Sequence, residues 1–403
     1  MLPMLSSFRN AAPDQLAAAM QDARNYTLAL FDRFLAAGMD DPAQVPYLPI
    51  INPPLWELGH IAWFSEWFTL REARSSHPAA AQHPCLLDAG DRWFDSGNVA
   101  HATRWTLDLP DTAVLQNYAN EVFNRITDKL AHLPNDARAL YPYRLVLAHE
   151  DMHGEAFAYT LQTLGLDLPP QLAGRILSPQ PQALLSQAQT ELRIAGGIIH
   201  LGSPPTDEFV FDNEKWAHPI TLPAFTISAT LVSNAMYKQF MVDGGYQKKQ
   251  FWSDAGSAWL AANQRSAPRY WQRNGTLCQR FGTLMELPDN EAVRHLSLHE
   301  AMAYCRWAGR RLPTEAEWEC AALSGHPHFR WGDLWEWTSS PFAPYPGFAA
   351  DAYLEYSAPW FHTHQVLRGA SFATRQRMRS PRYRNFFTPE RDDIFVGFRT
   401  CAN

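Results

Sequence analysis

The sequence predicts an α+β protein built in two parts, a four-helix bundle followed by a loop-rich domain of short strands. Three observations carry this. From Pro13 to about Leu166, apolar residues recur at close to 3.6-residue spacing. From Asp167 to Gln189 the chain turns Pro-, Gln- and Ala-rich, the texture of a linker. After Leu192, short β-like runs replace the long periodic segments. The expected boundaries are residues 1–167 for the bundle, 168–190 for the linker and 191–403 for the second domain.

The elements follow in order. A first helix opens at Pro13, with Leu16, Met20, Tyr26, Leu30 and Phe34 on its apolar stripe. A second begins at Pro53-Pro54, because proline is well tolerated in a first turn, and carries Trp56, His60, Trp63 and Trp67 on one face. The third covers 112–133, with Leu115, Ala119, Val122, Phe123, Ile126 and Leu130 in register. The fourth runs over 143–164 and stops at Gly165, a C-cap residue. In the second part, 196–202 and 220–227 read as strands, and 234–243, 297–308 and 314–324 as short helices. Thr314 and Glu317 form a capping box at the start of the last of these.

Composition limits the function classes. At 403 residues, 46% apolar and 19% charged, the chain has material for a sizeable core and too few charges for disorder. Its 15 Trp, and 30 Pro against 21 Gly, suit an aromatic-braced, loop-rich second half. A net charge of −7 argues against a nucleic-acid or anionic-membrane surface. No apolar run approaches the roughly 20 residues of a membrane span. The first residues lack a basic stretch followed by an apolar one, so no secretory signal is expected. Cys85, Cys278, Cys305, Cys320 and Cys401 are scattered and form no CxxC, which suits a reducing cytoplasm rather than a disulfide framework or zinc ribbon.

The sharpest chemical signal is His149-Glu150-Asp151-Met152-His153-Gly154-Glu155. Residues four apart on a helix differ by about 40° of rotation, so His149 and His153 share a face and can share a metal. Glu155 lies roughly 200° round from His153 and should point away. His60, on the tryptophan face of the second helix, is the candidate third ligand. A three-histidine site suits zinc, iron or copper and leaves positions for substrate and O2. His77, His83, His101 and His132 read as surface residues. In the second half, Arg310-Arg311-Leu312-Pro313-Thr314-Glu315-Ala316-Glu317-Trp318-Glu319, Leu334-Trp335-Glu336-Trp337-Thr338-Ser339-Ser340, Leu367-Arg368-Gly369-Ala370-Ser371-Phe372 and Gly397-Phe398-Arg399 are dense blocks. Taken alone, they read mainly as residues that lock a loop-rich core.

Those blocks resemble, in order, the sulfatase-modifying-factor domain, a C-type-lectin-like fold shared by formylglycine-generating enzymes, over about 190–403. The first half resembles a DinB-type bundle. Its blocks Pro53-Pro54-Leu55-Trp56-Glu57-Leu58-Gly59-His60 and His149-x3-His153-x-Glu155 resemble the paired domain of the ergothioneine-type sulfoxide synthases. The resemblance implies a non-haem iron oxidoreductase that uses O2 as co-substrate to join a chalcogen donor to the imidazole C2 of hercynine. It implies that Fe(II) is held by His60, His149 and His153. It implies Tyr353 as proton or electron donor, and Tyr356, Asn385 and Phe386 at hercynine, with Phe387 standing where the family often has a carboxylate. The loop 94–110 keeps Arg104 where thiol-using relatives carry an arginine pair, and Met152 replaces a position often Gln. The loop is similar to that of the selenoneine synthase branch, which implies a selenosugar donor, a C–Se bond and a selenoxide product. The alternative is C–S bond formation with a thiol donor such as γ-glutamylcysteine or cysteine. Either way the expected partners are small molecules, with no nucleic acid, membrane or obligate protein partner. A rival expectation, formylglycine generation, requires a reactive cysteine pair in the second half.

Overall fold

The computed structural model describes residues 7–403 apart from Pro78, 173–189 and Asp207. Helices α1 (Pro13–Ala36), α2 (Pro54–Thr69), α4 (Thr112–Leu130) and α5 (Ala137–Leu164) are the long elements of the first half, with a short α3 (Gly90–Phe94) between them. Proline occupies the first turn of α1 and of α2, as the sequence predicts. Asp111 and Asp136 cap α4 and α5 by accepting the Val114 and Ala139 N–H groups. Helix α5 starts six residues before the expected 143, because the Asp136 cap holds a first turn ahead of Pro142. It ends as expected at Gly165, whose positive φ lets its N–H reach the Leu161 and Gln162 carbonyls.

Helix α2 departs from the one-faced reading: all of its residues are buried. It packs on α4 and α5, while α3 and the loop after it cover the side that α1 leaves open. A helix apolar all round belongs at a centre, and its few polar residues then need local partners. No helix among the described residues is long and apolar enough to cross a membrane.

Among the described residues, the second half holds four small sheets. Strands β1 (Glu191–Ile194) and β4 (Phe225–Ser228) pair, as do β2 (Gly197–Leu201) and β3 (His218–Leu222), both antiparallel. The expected single run 220–227 is therefore two strands, broken at Pro223, which has no N–H to donate to a ladder. Strands β5 (Trp271–Gln272), β6 (Leu277–Arg280) and β7 (Thr283–Glu286) form a meander. The largest sheet has the order β10 (Asn385–Phe387), β9 (Gln365–Gly369), β8 (Trp335–Pro341), β11 (Val396–Gly397), the last pair parallel. Helices α6 (Asn234–Val242), α7 (Asp254–Asn263), α8 (Leu298–Trp307) and α9 (Glu315–Leu323) are each capped by a Ser or Thr hydroxyl. The expected linker, 168–190, falls mostly on 173–189, outside the described residues.

The dense second-half blocks meet as buried ion pairs. Arg399 donates to both oxygens of Glu336, at 2.5 and 2.7 Å, and Trp318 shares that carboxylate. Arg368 pairs with Glu319, and Arg384 donates to Glu315 at 2.8 and 3.0 Å. A loop-rich core has few backbone ladders, and bidentate arginine ties its segments instead.

Candidate metal centre and cavity

His60 on α2 and His149 and His153 on α5 converge, with one nitrogen of each lying within 4.8 Å of the others. His149 Nε2 and His153 Nε2 are 3.2 Å apart. The ring of His60 is held twice. Its Nδ1 bonds the Phe94 carbonyl oxygen at 2.8 Å, and Trp56 stacks on it with centroids 5.0 Å apart at 8°. His153 Nδ1 bonds Glu57 Oε1 at 2.7 Å. Phe64 lies flat on His149, centroids 3.6 Å apart. Two rings thus have Nδ1 anchored, which leaves Nε2 as the bare donor. Burial drives His60 and His149 well below the ordinary histidine pKa, so both are neutral and their lone pairs are available. The residues fit a metal of the three-imidazole class.

Beside them lies a cavity of about 240 Å³. His153, Met152, Tyr356, Asn385, Phe386 and Phe387 are among the residues that line it, so β10 and the middle of α5 both contribute walls. Asn385 Oδ1 accepts the Phe386 N–H at 2.9 Å, and Phe386 stacks on Phe342 at 4.1 Å. Tyr353 and Arg104 do not line this cavity. Tyr353 packs edge-on to Phe64 at 4.9 Å and to His149 at 6.1 Å, and burial pushes its hydroxyl above the ordinary tyrosine value. Arg104 donates to Asn52 Oδ1 at 2.7 Å and to the Val99 carbonyl at 3.3 Å, and covers the face of Trp56 at 3.8 Å.

Glu155 is not among the converging groups, as its helical phase requires, but it does line the same cavity as His153. It accepts from Trp335 Nε1 at 2.8 Å, Ser371 Oγ at 2.5 Å and Thr374 Oγ1 at 2.6 Å. His77, His83 and His132 are exposed as expected, but His101 is half-buried. Its Nε2 bonds the Ile51 carbonyl oxygen at 2.7 Å and its ring packs on Trp105, because the loop after α3 folds back on the bundle.

Three participants escaped the sequence reading. Glu57 had a usable signal, since it stands three residues before His60 on the same helix face. Trp335 and Tyr383, which also line the cavity, had none. Tyr383 donates to Met152 Sδ at 3.3 Å and receives the Tyr356 hydroxyl at 3.5 Å. Cys278, Cys305 and Cys401 are buried and Cys320 is half-buried, and desolvation pushes all four thiols upward, the opposite of a reactive pair.

The strands, the aromatic bracing and the Arg–Glu ties define a class. The sulfatase-modifying factor enzyme 1-like domain matches residues 177–334 and 330–403, and the chain belongs to that family. Within it, the match extends through the helical half. The chain is 33% identical to the hercynine oxygenase of Mycolicibacterium thermoresistibile, covering 96% of this chain and 94% of that protein. It is 33% identical to the hercynine oxygenase of Mycolicibacterium smegmatis, over 97% and 98% of the two chains. The chain therefore belongs to the hercynine oxygenase family. The formylglycine-generating enzyme of Streptomyces coelicolor is 27% identical but covers only 56% of this chain.

Proposed function

We propose that this chain is an iron(II)- and O2-dependent cytoplasmic enzyme that joins a selenosugar to the imidazole C2 of hercynine. In this reading residues 1–167 are a DinB-like bundle and 191–403 a lectin-like domain that closes over it. The observation that carries it is the meeting of three histidine nitrogens at the edge of an aromatic cavity, in a chain related to hercynine oxygenases along nearly its whole length. His60, His149 and His153 would hold the iron, which when bound supplies positions for O2 and both substrates.

The chain's own residues account for binding. Hercynine carries a quaternary ammonium that cannot donate hydrogen bonds. Aromatic faces such as Tyr356, Phe386, Phe387 and Trp335 suit it better than water does. Asn385, with Oδ1 engaged, has its amide N–H donors for the substrate carboxylate. Tyr353 stays protonated at any physiological pH and is the proton source beside His149. The donor follows from charge. Among the described residues no Lys or Arg lines the cavity, and Arg104 is engaged with Asn52, Val99 and Trp56. A neutral donor needs no cationic grip, and Met152 offers a soft, polarisable wall. The balance closes: hercynine C2–H and the selenol Se–H are replaced by a C–Se bond, selenium gains one oxygen, and the other leaves as water.

The test is anaerobic reconstitution with Fe(II), then hercynine with either a selenosugar or γ-glutamylcysteine, recording O2 uptake and product mass. A selenium adduct formed only with the selenosugar is the expected outcome. Turnover with γ-glutamylcysteine instead would make the enzyme a sulfoxide synthase, and no uptake with either donor would overturn the hercynine reading.

A further inference from the structure

We infer that Glu57, braced through Asn52 by Arg104, is the positioning carboxylate that sets His153 as an Nε2 donor. The inference rests on the three-histidine metal reading and adds residues that it does not contain. Glu57 is 1% exposed in a helix whose every residue is buried. A carboxylate there is costly unless both oxygens are engaged. Oε1 accepts His153 Nδ1 at 2.7 Å and Oε2 accepts Asn52 Nδ2 at 3.3 Å. Asn52 Oδ1 in turn accepts Arg104 Nη1 at 2.7 Å.

The chain of contacts closes on a second ligand. The guanidinium of Arg104 lies 3.8 Å from the centroid of Trp56, and Trp56 stacks on His60. Arg104 therefore touches Trp56, which holds His60, directly, and Glu57, which holds His153, through Asn52. Its charge acts on that of Glu57 across Asn52, without a direct ion pair. Lysine would lose the planar face that Trp56 requires. In this arrangement the loop after α3 acts on the geometry of the metal centre, and Arg104 is a positioning residue for it.

The tautomer is the readout that a purely structural role would not move. With Glu57 accepting from Nδ1–H, His153 keeps Nε2 bare. In Glu57→Gln, Asn52 Nδ2 takes the amide oxygen because Asn52 Oδ1 is held by Arg104, so the amide turns its N–H groups to the same ring nitrogen and the ring responds by carrying its proton on Nε2. The experiment compares wild type, Glu57→Gln and Asn52→Ala as full-length metal-free proteins. Co(II) titration followed by visible absorption gives affinity, and ¹⁵N-histidine NMR gives the His153 tautomer. The expected result is about 10- to 100-fold weaker Co(II) binding in Glu57→Gln, with the tautomer reversed. Asn52→Ala, which leaves the carboxylate in place, is expected to weaken binding in the same direction by a smaller factor and keeps the test decisive if Glu57→Gln does not fold. Affinity within twofold of wild type, or an unchanged tautomer in folded Glu57→Gln, would overturn the inference alone. Wild-type protein that takes up no Co(II) would overturn the metal reading and the inference with it.

Discussion

Gly59 shows how much one atom decides at the metal centre. A Cβ built there falls 2.3 Å from the ring of Phe94, whose carbonyl oxygen holds His60. Gly59→Ala must displace Phe94, and overpacking of this kind costs about 1–3 kcal/mol. The expected outcome is a lower thermal midpoint together with weaker Co(II) binding, read by melting the protein with and without the metal. Tyr353→Phe separates chemistry from packing at the same site. It keeps the ring against Phe64 and His149 and removes only the hydroxyl. Metal content and thermal midpoint are expected to stay close to wild type while turnover falls about a hundredfold, the contribution of a positioned proton donor. Equal turnover in the two proteins would remove Tyr353 from the reaction.

At the scale of elements, α5 is one helix serving two interfaces. His149 and His153 face α2, while Asp151 and Glu155, half a turn round, reach into the second half. Arg377 donates to Asp151 through Nε at 2.6 Å and Nη2 at 2.7 Å, and also meets Asp22 of α1 at 2.7 Å. The Arg377–Asp151 pair is almost wholly buried, so removing one partner strands a charge. Arg377→Met is expected to cost about 3–5 kcal/mol of stability by urea unfolding. Adding Asp151→Asn should recover part of that loss, because the stranded carboxylate goes with it. If the double variant is no more stable than the single one, the pair is not what couples α5 to the second half.

For the whole molecule, buried carboxylates link stability to pH. Glu300 accepts from Tyr246 Oη at 2.6 Å and from Ser297 N at 2.7 Å, yet burial raises its pKa to about 7. An unfolded glutamate titrates near 4.3, so between those values the folded state holds the extra proton. Stability from this group is therefore lost as pH rises from about 4.5 to 7. Relative to wild type, Glu300→Gln is expected to gain as pH rises across that window, by up to about 3 kcal/mol, read as thermal midpoints at a series of pH values. A difference independent of pH would mean that Glu300 is ionised throughout.

Much of the architecture was legible at this scale because periodicity is local. Four long helices, the Gly165 stop and the Thr314/Glu317 capping box each depend on residues within a few positions of one another. The HxxxH pair on α5 was legible for the same reason, as was the exclusion of Glu155 from the converging nitrogens. What stayed hidden was whatever depends on residues distant along the chain. Pairing of Arg368, Arg384 and Arg399 with glutamates in separate blocks could not be assigned from spacing. Nor could the sheathing of α2 on every side, or the meeting of Tyr383 with Met152 across 231 positions. By itself the sequence determined which side chains had the chemistry and which helix faces they occupied, since rotation per residue is a property of the backbone. Only the tertiary structure decided that His60 meets the α5 pair, that Glu57 and not the protein's surface receives His153, and that Arg104 is turned toward Trp56. Those contacts exist because burying α2 on all sides forces each of its polar groups to find a partner within reach.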